Sequence, residues 1–226
     1  MRAAVKRLAA RFFEGAIVTF ARFVCAPRVM LDEPLDAGPS RVFIANHGSN
    51  ADTILIWAAL PPEMRRSLRP VAAADYWLTS RFRAFIGRDV FRILPVERDP
   101  EARTGDPIAD MASALEAGHS LILFPEGRRN PGPERLLPFK TGIYHLSQAR
   151  PGTEFVPIWI DNLNGVLPRG ELVPVPLICT LRFGAALVLE RDEDKAAFLA
   201  RAEAAVLALA PDAPAEDTPQ EVAHGA

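Results

Sequence analysis

Six short apolar runs, at residues 41–45, 70–74, 92–96, 120–124, 154–160 and 177–183, alternate with stretches of helical periodicity at 51–60, 79–88, 106–117, 141–148 and 192–209. This alternation constrains the fold more than any other feature, because strand, helix and strand in succession is the unit from which parallel sheets are built. The predicted fold class is therefore α/β, a single domain with a mixed, mostly parallel sheet flanked by helices. The run Leu121-Ile122-Leu123-Phe124 is continuous rather than alternating, as expected of a central strand covered on both faces. Prolines gather at 131–138 and 168–176 and mark loops around the sheet. A chain of 226 residues suits one such domain.

The two ends differ in charge. Residues 1–30 carry Arg2, Lys6, Arg7, Arg11, Arg22 and Arg28 against the single acid Glu14. Residues 5–26 read as a helix that stops before Pro27. At 100° per residue, Leu8, Phe12, Ala16, Phe20 and Phe23 share one face, with Arg7, Arg11, Glu14 and Arg22 opposite. Charge interrupts every apolar run here before it reaches the ~20 residues of a membrane span. Each arginine at a bilayer centre would cost roughly 2.5–3.5 kcal/mol. The segment 1–30 is expected to lie on a membrane surface, with a helix packed on the protein's own core as the alternative. Residues 31–210 form the predicted domain. The acidic tail 211–226 is expected to be disordered, and no secretory signal is expected. The net charge of −2 gives no reason to expect nucleic acid as a partner, and Cys25 and Cys179 are too far apart in sequence to suggest a disulfide framework. The reducing cytoplasm is the expected setting.

Two motifs follow directly on predicted strands. The first is Asn46-His47-Gly48-Ser49-Asn50-Ala51-Asp52, ahead of an apolar helix. On one continuous helix His47 and Asp52 would point about 140° apart. They meet if His47 sits in the turn and Asp52 in the first helical turn, where Asp52 holds one imidazole nitrogen and leaves the other to accept a proton. The plain alternative is a capping box, with Ser49 as N-cap and Asp52 at N3. The second motif is Phe124-Pro125-Glu126-Gly127-Arg128-Arg129-Asn130. Gly127 permits close backbone approach, and Arg128 with Arg129 suits a phosphate oxyanion; an exposed basic loop is the alternative. Arg98, in Leu94-Pro95-Val96-Glu97-Arg98, and Lys140, at a helix start, are further anion-binding candidates. Phe155-Val156-Pro157-Ile158-Trp159 reads equally as the wall of an acyl pocket or as a core strand.

Together these residues, in this order and at these strand ends, resemble the lysophospholipid acyltransferase family, the glycerol-phosphate acyltransferases of phospholipid synthesis. The resemblance covers roughly residues 42–160. The His-x-x-x-x-Asp and Phe-Pro-Glu-Gly-x-Arg blocks carry most of its specificity. It implies His47 as general base and Asp52 as its orienting partner. It places Glu126, Gly127 and Arg129 at the acceptor, Arg98 assisting, and Pro157 on the acyl side. It implies direct transfer from acyl-CoA or an acyl carrier protein, acting as co-substrate, to a lysophospholipid, with no cofactor or metal and no acyl-enzyme intermediate. It also implies work on the cytoplasmic face of the cell membrane, as a peripheral or monotopic protein. The sequence departs from the family at Arg128 (usually Thr), at Asn130 (often Ser), at 71–76, which lacks a basic residue, and at Glu97 (usually Asp). The first three bear on the acceptor, so a lyso-aminolipid or glycerol 3-phosphate stands beside 1-acylglycerol 3-phosphate as a candidate. An oxyanion donor is expected among the backbone amides near the His47 turn or the next helix N-terminus.

Other classes fit less well. Gly118-His119-Ser120 precedes a strand and lacks the final glycine of a nucleophile elbow. His47, His119, His145 and His224 show no ligand spacing. A lipid- or phosphate-binding module without catalysis is the rival from outside the enzymes, and the presence of both His47 and Asp52 argues against it.

Overall fold

The computed structural model describes residues 2–33, 38–97, 99, 105–163 and 177–211. Its elements, in chain order, are α1 (Arg2–Cys25), β1 (Arg28–Leu31), β2 (Val42–Ala45), α2 (Asp52–Ala59), α3 (Pro62–Ser67), β3 (Leu68–Ala73), α4 (Ala74–Trp77), α5 (Arg81–Phe85), a π-helical turn (Ile86–Val90), β4 (Leu94–Val96), α6 (Pro107–Glu116), β5 (Ser120–Leu123), α7 (Gly142–Ala149), β6 (Phe155–Asp161), β7 (Thr180–Phe183) and α8 (Lys195–Ala208). The strands form one seven-stranded sheet in the order β1-β7-β6-β2-β5-β3-β4. Every neighbouring pair is parallel except β6 with β7. This is the α/β domain with a mostly parallel sheet that the alternation predicts. Arg98, the 168–176 prolines and residues 212–226 of the acidic tail lie outside the described residues.

Strand alternation sorts the core into two layers. Phe43, Ile122, Val156 and Ile158 pack beneath α1 and α2 on one face, with the fully buried Trp57 among them. Val42, Ile44, Leu121 and Phe155 pack against α6, α7 and α8 on the other. β2, β5 and β6 are covered on both faces, which is why they read as continuous apolar runs.

Strand β1 is not foreseen from the sequence. It is four residues long and exposed along its whole length, and it pairs at the sheet edge with β7. The predicted helix at 79–88 divides into α5 and the π-helical turn, closed by Phe91 N–H donating to Ile86 O at 3.0 Å. Gly87 accounts for the tight approach there. A Cβ on it would stand 3.0 Å from Ile93 Cδ1 and 3.2 Å from Trp77 Cε3. The buried thiols of Cys25 and Cys179 are free and lie side by side, which pushes Cys179 well above its ordinary value and lowers Cys25.

Helix α1 joins the core rather than standing apart. Ala10, Val18, Ala21, Val24 and Cys25 are buried in the first layer. Part of the expected outer polar face turns inward. Glu14 pairs with Arg65 at 3.7 Å, Lys6 with Asp89 at 2.8 Å, and Arg22 Nε donates to Ala58 O at 3.0 Å. The aromatic face is the outer one: Leu8, Phe12, Phe20 and Phe23 are all exposed, Phe23 by 79%. Among the described residues no helix is long and apolar enough to cross a membrane.

Candidate active site

Strands β2 and β5 end side by side, with Ile44 paired to Leu123. The chain leaves them into the two motifs at the C-terminal edge of the sheet, where α/β folds bind ligands. Between the motifs lies a cleft of about 270 Å³, lined by His47, Asp52, Glu126, Asn130, Arg135 and Trp159 among others.

His47 is held on every side. Its Nδ1 lies 2.8 Å from Asp52 Oδ2, and its ring stacks on Phe124 with centroids 4.2 Å apart. Its backbone N–H donates to Glu126 Oε1 at 2.7 Å, and its carbonyl accepts from Asn130 N–H at 2.7 Å. The preceding Asn46 side chain both donates to and accepts from the backbone of Ile160, fastening the turn to β6.

Asp52 is 2% exposed and opens α2. Besides His47, its Oδ2 accepts the N–H groups of Gly48 and Ser49, each at 2.8 Å. The capping box is not formed. Ala51 occupies the N-cap without a side-chain bond, and Asp52 is the first helical residue, because its carboxylate is drawn back into the turn. A carboxylate has no proton to give, so Nδ1 of His47 carries the hydrogen and Nε2 is the nitrogen left to accept one.

Glu126 is also 2% exposed, and each of its oxygens holds a backbone amide: Oε1 that of His47 and Oε2 that of Leu137, at 3.1 Å. Burial pushes its carboxyl above the ordinary value, against those hydrogen bonds, which pull it down. It braces the His47 turn against the 131–138 loop. Gly127 has φ +69, and a Cβ there would stand 2.7 Å from Cδ and Cε of Lys140, whose stem crosses over it. Arg128, Arg129 and Lys140 are exposed and, among the described residues, have no ion pair; none of them lines the cleft. Pro157 is buried in β6, its Cγ 3.1 Å from where a Cβ on Gly184 would be, away from the cleft lining. The amides of residues 47–49 and 51 are all engaged by Asp52, Glu126 or Ser49.

Among the lining residues, sequence reasoning singles out neither Arg135 nor Asp161, and reads Trp159 only as part of an acyl wall or core strand at 155–159. Arg135, the arginine of the cleft wall, lies over the Trp159 ring at 5.5 Å and donates to Pro211 O. Trp159 is 6% exposed, and among the described residues its Nε1 has no hydrogen-bond partner. Asp161 closes β6 beside them. Nothing in the local sequence around Arg135 sets it apart from other loop arginines; only the fold brings it to His47. Among the described residues no group of three His, Cys, Asp or Glu is arranged to hold a metal ion.

The fold and the cleft define an α/β domain whose candidate site sits at the C-terminal edge of a mostly parallel sheet. The family pattern described as Acyltransferase matches residues 27–161, and the chain belongs to that family. The 1-acyl-sn-glycerol-3-phosphate acyltransferase of Salmonella typhimurium is 29% identical over 154 residues, covering 64% of this chain and 57% of the relative. The Escherichia coli protein of the same name is 28% identical over the same shares. A lyso-ornithine lipid O-acyltransferase of Brucella abortus is 27% identical over 144 residues, 64% of this chain and 49% of its own. The chain thus matches about half the length of these curated relatives. The crystal structure of the 1-acyl-sn-glycerophosphate (LPA) acyltransferase PlsC from Thermotoga maritima superposes with a TM-score of 0.65 at 18% identity. It covers 89% of this chain and 80% of that one, a likeness of fold.

Proposed function

We propose that this protein transfers a fatty acyl group from a thioester, acyl-CoA or acyl carrier protein, to the free hydroxyl of 1-acylglycerol 3-phosphate at the cytoplasmic face of a membrane. The observation that carries this reading is the 2.8 Å contact between His47 Nδ1 and Asp52 Oδ2 at the wall of the cleft. With Nδ1 protonated and held, Nε2 takes the proton from the acceptor hydroxyl as that oxygen attacks the thioester carbonyl. Help of this kind is worth roughly 10²–10⁴-fold. The thiol leaves and the ester forms in one transfer, without an acyl-enzyme. Arg135 in the cleft, with Arg128, Arg129 and Lys140 beside it in the chain, supplies positive charge for the acceptor phosphate. The outward aromatic stripe of α1 supplies an apolar face for the membrane that carries the acceptor.

A second acceptor has an observation in its favour. Asp161 and Glu134 line the cleft with Arg135, a mixed-charge wall that suits the ammonium of a lyso-aminolipid. The experiment offers purified protein labelled acyl-CoA or acyl carrier protein with lysophosphatidate, glycerol 3-phosphate or lyso-ornithine lipid. Preferred transfer to lysophosphatidate supports the first reading, and preferred transfer to lyso-ornithine lipid the second. No transfer to any of them removes both.

A further inference from the structure

The opposite edge of the sheet carries a second concentration of charge. Arg69 lies near the start of β3, Arg92 and Ile93 lead into β4, and His119 immediately precedes β5. These strands run parallel, so all three positions lie at the N-terminal edge, away from His47. Arg66 from α3 and Arg88 from the π-helical turn complete the wall of an open cleft of about 410 Å³.

This cluster is held together without a single acid. Arg69 Nε donates to Arg92 O at 3.2 Å, and Arg92 donates to Arg66 O at 2.6 Å. Two arginines are thus fixed by backbone carbonyls, which leave their charge uncancelled. Among the described residues none of the four guanidinium groups has an ion pair, although the whole chain carries 28 acidic residues against 26 basic ones. Arg92 also sits at φ +53, a left-handed conformation that residues with a Cβ rarely adopt. Gly87 O accepts the next amide, that of Ile93, at 2.9 Å and holds this conformation. His119 adds a ring nitrogen, Nδ1, that is buried and, among the described residues, has no hydrogen-bond partner.

Four like charges gathered round one cleft repel each other unless an anion sits among them. Guanidinium forks match phosphate oxygens in shape as well as charge, and they are the groups that bind phosphate bidentately. We propose that the Arg66–Arg69–Arg88–Arg92 cleft is a binding site for a phosphate group, separate from the site at His47. The phosphate is borne either by a soluble phosphorylated molecule or by a lipid headgroup. The site binds and does no chemistry, since no paired base or nucleophile lines it. It does not depend on the acyl-transfer reading, and its test does not measure transfer.

Pyrophosphate is titrated calorimetrically into full-length protein held in neutral-detergent micelles at low salt. Arg66 and Arg88 are exposed and their guanidinium groups make no hydrogen bond among the described residues, so Arg66→Gln with Arg88→Gln tests the cleft without disturbing the Arg69–Arg92 frame. The wild type is expected to show saturable binding, weakened at least tenfold in the double variant and kept in Arg191→Gln, at an exposed arginine that lines neither cleft. Absence of saturable binding in the wild type, or a loss smaller than tenfold in the double variant, overturns the site. Vesicles with and without anionic phospholipid then separate the sources. A partition deficit of the double variant confined to anionic vesicles assigns the phosphate to a headgroup, and equal partition assigns it to a soluble molecule.

Discussion

Asp52 Oδ2 lies 2.8 Å from His47 Nδ1 and accepts the amides of Gly48 and Ser49 at the same distance. One buried oxygen therefore sets both the tautomer of the histidine and the shape of the turn that carries it. Asp52→Asn with its amide oxygen in the place of Oδ2 keeps the turn and the contact to Nδ1, but removes the negative charge that stabilises the imidazolium formed as Nε2 takes a proton. The expected result is a fall in kcat of roughly 10²–10⁴ with little change in KM. A variant with wild-type kcat would show that the contact does not matter to the reaction.

Glu126 yields a prediction in stability and pH. Burial raises its carboxyl, so the folded protein holds that proton more tightly than the unfolded chain. The wild type therefore loses stability as pH climbs from the ordinary carboxylate value of about 4.3 through the raised one. Glu126→Gln mimics the protonated acid and cannot ionise. Its melting temperature is expected to lie below that of the wild type at about pH 4, because its NH2 cannot accept one of the two backbone amides, and to gain on it as pH rises. A difference that stays constant with pH would contradict the raised value.

The outer face of α1 is separable from its inner one. Deleting the helix would uncover Ala10, Val18, Ala21 and Val24 and unfold the core with it. Phe12→Ser with Phe20→Ser touches only side chains that are 71% and 60% exposed. Each phenylalanine buried in lipid is worth roughly 1.5–3 kcal/mol. The pair is expected to reduce partition onto vesicles at least tenfold and leave the melting temperature nearly unchanged. Unchanged partition would remove the stripe from membrane binding.

Arg135 and Arg129 can be ranked against each other. Arg135 lines the cleft and Arg129 does not. Losing a charge-assisted hydrogen bond costs roughly 1.5–3 kcal/mol, about ten- to hundredfold in KM. Arg135→Ala is expected to raise KM for a phosphorylated acceptor by that factor, more than Arg129→Ala does. The reverse order would place the phosphate outside the cleft, on the rim that the Gly127 block forms.

Much of this arrangement is legible in the chain, and what is not has a physical reason. The central strands declare themselves because burial on both faces forces an unbroken apolar run, as at Leu121–Leu123. The edge strand β1 does not, since Arg28–Leu31 is exposed and its place depends on pairing with the distant β7. His47 and Asp52 stand out because five residues of one turn bring them together. The spacing alone reads as well as a capping box, which the structure replaces with Asp52 at the first helical position. Arg135 and Trp159 are 24 residues apart and meet only through the fold. Helix α1 shows two apolar faces where the pattern suggests one, because the small residues Ala10, Ala21 and Cys25 that let it pack closely weigh little beside four exposed aromatic and aliphatic side chains.

The central claim is that His47 is the base for acyl transfer, and a single comparison tests it most directly. Purified wild type and His47→Ala, each confirmed folded by its melting transition, are given labelled acyl thioester and lysophosphatidate on vesicles. The account predicts transfer by the wild type and a rate at least about 10²-fold lower in His47→Ala, with vesicle binding intact. Transfer by His47→Ala at the wild-type rate would contradict it.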